Sequence, residues 1–144
     1  MATENVSRTI YTRIYHKLFD VIPDLLTIEE AGKFEVEGFM KLNLDVLHKR
    51  SSRIVIALSH YYRHPSGDMI PDPDMELVVY PCKEMAEALA YQDCYCYRRV
   101  YGDDGATEDI KAKKELNIFL DQWLSNLIEQ GHHIKVEPEA DDGE

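Results

Sequence analysis

The sequence predicts an α+β domain in which a four-stranded antiparallel meander sheet is packed by an N-terminal and a C-terminal helix. Three observations predict it. Apolar residues recur at helical spacing near the two ends of the chain, apolar and polar residues alternate in the middle, and short polar segments separate the alternating stretches. At 144 residues, with 44% apolar and 30% charged residues, the chain has the size and composition of one globular domain.

Both helices are predicted from apolar spacing and from the residues at their ends. The first begins at Ser7 and ends before Pro23, which cannot continue a helix. Its apolar residues are Ile10, Ile14, Leu18, Val21 and Ile22.

The closing helix spans Lys114–Gly131, with Thr107 as a candidate N-cap ahead of it and Gly131 as the residue that ends it. Its apolar face consists of Leu116, Phe119, Leu120, Trp123, Leu124 and Leu127. We expect Phe119 and Trp123 to belong to the core.

Four strands are predicted between the helices. The first alternates from Phe34 to Val46, with Gly38 as a bend or bulge. The other three strands are predicted over Arg53–Tyr62, Met75–Pro81 and Leu89–Tyr101. A Pro- and Gly-rich loop over Arg63–Asp74 follows the second strand, and a turn over residues 85–90 leads into the fourth. The single domain is predicted over residues 8–133, between a disordered segment 1–7 and an acidic tail 134–144.

The location is predicted from what the sequence lacks. No run of 18 apolar residues occurs, and the first residues contain no apolar signal-peptide core. The three cysteines are an odd number, and Cys94 and Cys96 lie two apart in a predicted strand, a spacing poorly suited to a disulfide. The sequence therefore predicts a cytoplasmic protein.

The formal net charge of −11 limits the class of partner. Affinity for nucleic acid depends on lysine and arginine neutralising phosphates, and docking on anionic lipid needs the same charges. Nucleic acid and membranes are therefore predicted not to be partners. Acidity keeps a protein soluble, and it also complements a basic partner.

Two segments resemble a known family. They are PDMELVVYPCKEMAEAL and, downstream, KKELNIFLDQWLSNLIEQGH, whose Asn-x-Phe-Leu-x-x-Trp-Leu core is formed by Asn117, Phe119, Leu120, Trp123 and Leu124. With Val21-Ile22-Pro23 at the end of the first helix, the chain resembles the YqiB-like family of bacterial proteins, a domain of unknown function, over residues 8–133. The resemblance implies the fold and a bacterial or phage cytoplasmic setting, and it implies no activity, cofactor or catalytic residue.

One candidate metal site lies around the Pro-rich loop. Histidine and carboxylate side chains together bind divalent cations, and His60, His64, Asp68, Asp72 and Asp74 are close in sequence. Their spacing matches neither an EF-hand loop nor a HExxH helix. The alternative is a rigid turn whose aspartates are solvated. Apart from this divalent metal, no cofactor is predicted.

A second candidate site is the tyrosine-rich fourth strand. Odd-numbered positions of a regular strand share one face, which here would carry Tyr91, Tyr95, Tyr97, Arg99 and Tyr101. Tyrosine is a favoured strand residue and a common interface anchor. We expect this face to pack against the protein or to contact a partner.

The thiols are predicted to be structural. Cys82, Cys94 and Cys96 lack the second ligand pair of a structural zinc site, and buried reduced cysteine is the commoner state.

No P-loop, GxSxG or GxGxxG motif occurs. The leading hypothesis is therefore a non-enzymatic protein-interaction or regulatory module with a protein partner, and homo-oligomerisation stays open. The alternative is a divalent-metal-dependent hydrolase that uses the His60–Asp74 cluster, and a nucleic-acid-binding sheet is a weaker third hypothesis.

Overall fold

The fold is an antiparallel sheet with a helix at each end of the chain, described by a computed structural model over residues 9–28, 31–34 and 41–132. In chain order the elements are α1 (Ile10–Val21), β1 (Ala31–Phe34), β2 (Leu42–Lys49), β3 (Ile54–Arg63), β4 (Met69–Tyr80), a 3-10 helix (Pro81–Lys83), β5 (Met85–Gln92), β6 (Tyr97–Arg99) and α2 (Ile110–Gln130). The six strands pair in sequence order. The α+β meander is confirmed, the predicted number of strands is wrong, and the predicted segments 1–7 and 134–144 lie outside the described residues.

The helices begin and end where local chemistry satisfies their free backbone groups. The Thr9 hydroxyl accepts from the Thr12 N–H of α1 at 3.4 Å, and the Asp109 carboxylate accepts from the Ala112 N–H of α2 at 2.9 Å. The predicted N-cap Thr107 is wrong, because its hydroxyl donates to Asp104 in the preceding loop. Gly131 ends α2 with φ 91°, in the left-handed region that glycine adopts most easily.

The predicted first strand, Phe34 to Val46, is wrong as one element. It is a pair of antiparallel strands, β1 and β2, with Phe34 opposite Leu42. The alternating sequence pattern continues through the reversal because the register pairs even-numbered positions with even-numbered ones, Gly32 with Leu44 and Phe34 with Leu42. The predicted bend at Gly38 lies outside the described residues.

The predicted loop over Arg63–Asp74 is mostly strand. The chain turns after β3, and β4 begins at Met69, so Pro71 and Pro73 lie within it. Proline has no N–H to donate to a sheet. The structure accommodates both by a shift of the β3–β4 register between Ser59 and Tyr61, opposite these prolines.

The predicted turn over residues 85–90 is wrong, since this segment is most of β5. Its high helix propensity is overridden by packing: Ala86 and Ala88 are completely buried in the core, where their small side chains let the helices approach. The predicted fourth strand is also interrupted. A turn over Asp93–Cys96 separates β5 from β6.

The core lies between the helices and one face of the sheet. The buried sheet residues that form it are Leu42, Leu44, Ile54, Ile56, Leu58, Met75, Leu77, Val79, Ala86 and Ala88. From α2, Trp123 is buried as predicted, whereas Phe119 remains 37% exposed. No helix in the described part of the chain is long and apolar enough to cross a membrane.

Candidate functional site

The second face of the sheet, which we call the outer face, carries the residues of opposite parity to the core. Two cross-strand rows define it. One row runs Asn43, Ser59, Asp74, Gln92 and Tyr97, and the other runs Asp45, Ala57, Glu76, Ala90 and Arg99. None of these residues is part of the apolar core cluster found in the described residues. The outer face is five strands wide, from β2 to β6, and most of its side chains are polar and at least partly exposed, whereas Ala57, Ser59 and Ala90 are buried.

Three carboxylates of the outer face lie on adjoining strands. Asp45 and Glu76 are exposed and flank Ala57 on β3, while Asp74 is half-buried beside Ser59. No salt bridge within the described part of the chain involves any of the three carboxylates. Their neighbours on β3 are Ala57 and Ser59, which carry no charge. The centre of the face is therefore negatively charged.

Tyr61 is hydrogen-bonded to one of these carboxylates, Asp74, and lies near the charge of another, Asp45. Its hydroxyl donates a hydrogen bond of 2.5 Å to Asp74. Burial, the bond to Asp74 and the nearby charges of Asp74 and Asp45 together raise the pKa of Tyr61 to about 12. The tyrosine therefore remains a neutral donor at physiological pH and holds the Asp74 carboxylate in place.

A cleft of about 310 Å³ opens at the β6 side of the outer face. It is lined by Glu76, Leu89, Ala90, Tyr97, Arg99 and Tyr101. A bulge forms part of its floor: the β4–β5 register shifts so that Leu89 is the extra residue between Ala88 and Ala90. The cleft combines one carboxylate, one guanidinium and two tyrosine rings.

A larger concavity of about 500 Å³ adjoins this cleft, because Arg99 and Tyr101 line both. It is formed by the segment that leads from β6 to α2. Within it, Arg99 donates to Asp103 at 2.9 Å, so the guanidinium is partly neutralised. The combined surface remains acidic, since Asp103, Glu108 and Asp109 also line the larger concavity.

Tyr101 is fixed at the boundary of the two concavities. Its hydroxyl donates to Glu87 at 2.8 Å, and the Lys113 ammonium lies 5.6 Å from the ring centroid. Burial and the bond to Glu87 raise the pKa of Tyr101 to about 12. Lys113 also pairs with Glu108 at 2.7 Å, which ties this wall of the site to α2.

The predicted tyrosine face is divided by the turn between β5 and β6. Tyr97, Arg99 and Tyr101 line the cleft together. Tyr91 instead faces the helices, with its ring in edge contact with Phe119, 5.3 Å between centroids, and Tyr95 is 91% exposed in the turn. Strand parity cannot be carried across a turn, so the expectation that all five residues share one face is wrong.

The predicted metal ligands do not come together as a cluster. No group of three or more His, Cys, Asp or Glu residues suited to a metal ion occurs among the described residues. His60 is buried on the core side, with Nδ1 2.9 Å from the Lys41 carbonyl and its ring 5.5 Å from Trp123. His64 is exposed in the β3–β4 turn, where its ring bonds Ser66.

The three aspartates of the predicted metal site are also separated from one another. Asp74 accepts from Tyr61 on the outer face, and Asp68 is exposed in the turn before β4. Asp72 lies in β4 between the two prolines. The described part of the structure therefore supplies no ligand set for the hydrolase hypothesis.

His132, just after α2, is a buried histidine: it is 2% exposed and its ring is 5.6 Å from that of His60. Burial, followed by the charge of His60, lowers the pKa of His132. The expectation of buried cysteines is wrong. Cys82, Cys94 and Cys96 are free and exposed, not buried.

Sequence reasoning missed the acidic centre of the outer face. A signal existed in the alternation of the first predicted strand, where Asn43 and Asp45 occupy the polar parity. In the third predicted strand, Glu76 likewise occupies the polar parity, between Met75 and Leu77. What the sequence did not contain is the register that places Asp45 and Glu76 on either side of Ala57.

Comparison with known proteins identifies a family without an assigned activity. Residues 10–133 match the model of the domain of unknown function DUF6908. The chain belongs to this family. The comparisons show no link to the YqiB-like family that the sequence resembles. No curated protein and no solved structure matches the chain.

Proposed function

We propose that this DUF6908 protein is a non-enzymatic interaction module whose outer face binds a positively charged segment of another protein. The observation that carries the proposal is the row Asp45, Ala57 and Glu76 with Asp74 beside it: carboxylates on a sheet face that form no salt bridge within the described residues. Lysine or arginine side chains of a partner complement such a face and steer its approach.

The shape of the face supports a protein segment as the ligand. Ala57 is small and lies between Asp45 and Glu76, so a basic side chain of the partner can reach both carboxylates above it. Tyr97, 55% exposed, and the half-buried Tyr101 stand at the cleft beside Glu76 and offer aromatic surface to a lysine or arginine. The same charges repel phosphate, which supports the choice of a protein over a nucleic acid.

Three free, exposed cysteines are typical of a reducing compartment. They support the cytoplasmic location that we include in this proposal.

The test uses a fluorescent peptide of eight lysines and isotope-labelled protein. We expect salt-sensitive binding, with NMR shift changes concentrated on the outer face. The double variant D45N/E76Q should weaken binding by about fivefold, because two partly exposed ion pairs contribute on the order of 1 kcal/mol together.

The matched control is D68N/E129Q, which removes the same charge from exposed side chains in the β3–β4 turn and on α2. It should leave the peptide affinity within twofold. Equal weakening in both double variants, or shift changes spread evenly over both faces, would show that only net charge matters and would overturn the proposal.

A further inference from the structure

The turn between β5 and β6 holds two exposed thiols in a fixed conformation. Asp93 organises it: its Oδ1 accepts from the N–H groups of Tyr95 and Cys96 at 2.8 and 3.0 Å, and its own N–H donates to the Cys96 carbonyl at 3.0 Å. Cys94 and Cys96 are therefore the second and fourth residues of a four-residue turn that is closed by hydrogen bonds at its ends.

Turn geometry changes what these thiols can do. In a regular strand, residues two apart stand on one face of an extended backbone, which keeps their sulfur atoms apart. Here the backbone reverses within four residues, as the bond from the Asp93 N–H to the Cys96 carbonyl shows, and a turn brings residues two apart closer together than an extended strand does. Both thiols are exposed, and Tyr95 between them is 91% exposed. Small disulfide reagents therefore reach either sulfur.

We propose that Cys94 and Cys96 form a reversible intramolecular disulfide in exchange with small-molecule disulfides such as oxidised glutathione. One cysteine thiolate attacks the small disulfide, forms a mixed disulfide and releases one small thiol. The second cysteine then attacks the protein sulfur of the mixed disulfide, loses its proton and releases the other small thiol. Two protein thiols are oxidised to one disulfide, and one small disulfide is reduced to two thiols.

The second step is intramolecular, which is why the internal disulfide outcompetes a stable adduct. A neighbouring thiol two residues away acts at a high effective concentration. An exposed disulfide in a short ring is also readily reduced, so the change is reversible and suits the transient disulfides of reducing compartments. This thiol chemistry does not require the outer face to bind a partner, although Cys96 directly precedes Tyr97 of the cleft.

The experiment exposes the reduced full chain to oxidised glutathione and maps the products by mass spectrometry. Cys82 is the internal control, because it is also exposed but lies alone in the 3-10 helix Pro81–Lys83. We expect a stable glutathione adduct at Cys82, whereas the peptide that contains Cys94 and Cys96 loses two hydrogen atoms. Dithiothreitol should restore both forms.

The variants C94S and C96S separate the two steps. Each should hold a stable glutathione adduct at its remaining turn cysteine, because the resolving thiol is missing. Persistent glutathione adducts at both Cys94 and Cys96 in the unaltered protein, or disulfides only between two chains, would overturn the proposal. The comparison with Cys82 is made within one molecule and does not depend on how well the variants fold.

Discussion

At the scale of single residues, Asn117 is a buried polar side chain that joins α2 to the sheet. It is 1% exposed, its Oδ1 accepts from the Ala88 N–H at 2.8 Å, and its Nδ2 donates to the Lys113 carbonyl at 2.7 Å. Ala88 lies at the bulge next to Leu89, where the β4–β5 ladder shifts register. Asn117 thus satisfies a backbone group that the regular ladder leaves open.

Replacing this amide should be costly. In Asn117→Ala the buried N–H of Ala88 loses its acceptor, and we expect the free energy of unfolding to fall by about 1–3 kcal/mol. Urea denaturation measures it. Asn126→Ala on the same helix is the matched control, because Asn126 is exposed and should change stability by about 0.5 kcal/mol or less. Equal losses in the two variants would show that helix propensity, and not the bond to β5, determines the cost.

At the scale of elements, the sequence predicted best where one local rule decided the outcome. The end of α2 depends on one backbone conformation, and Gly131 was assigned correctly. The β3 strand was nearly correct because its apolar run is continuous and bounded by polar turns. These elements needed no information from distant parts of the chain.

The wrong elements are those decided by tertiary contacts. Pro71 and Pro73 predicted a loop, yet a register shift with β3 accommodates them in a strand. Residues 85–90 were predicted to form a turn, yet burial of Ala86 and Ala88 under the helices keeps the segment in β5. The prediction of the cleft residues failed for the same reason, since the turn at Asp93 leaves Tyr91, which precedes it, on the core side.

Gly131 provides a test at this scale. Its φ is 91° and a Cβ placed there would meet nothing within 4 Å, so substitution changes the backbone energy alone. We expect Gly131→Ala to lower the free energy of unfolding by about 1 kcal/mol in urea denaturation. Gly131→Asn should cost less, because asparagine tolerates the left-handed region better. A loss from asparagine as large as that from alanine would contradict this explanation.

At the scale of the whole molecule, the sheet separates two environments of opposite character. Its inner face buries aliphatic side chains under α1 and α2, and its outer face presents Asp45, Asp74 and Glu76. A single meander achieves this because residues of one parity all point to one side. Part of the net charge of −11 is thus arranged in register on one face of the sheet.

The inner environment also contains a buried ionisable group, His132, from which we expect a pH dependence of the stability. Near the end of α2, the ring of His132 lies against that of His60, and His60 lies against Trp123. Burial, and secondly the charge of His60, lowers the pKa of His132 below its ordinary value of about 6.5. The folded state therefore binds a proton at His132 less readily than the unfolded state does.

The sign of the pH dependence follows from this difference. A group whose pKa is lowered by folding contributes its full stability above its unfolded pKa, and that contribution is lost as the pH falls toward the folded pKa. The free energy of unfolding should thus decline below about pH 6.5, by at most about 1.4 kcal/mol per pH unit from this group. Urea midpoints between pH 8 and pH 5 measure the decline. His132→Gln should make it shallower whatever its stability at pH 8, while His16→Gln, at an exposed position of α1, should leave it unchanged. If His132→Gln leaves the slope of the free energy of unfolding against pH unchanged, the acid sensitivity belongs to other groups. Only a side chain whose pKa differs between the folded and the unfolded state contributes to that slope.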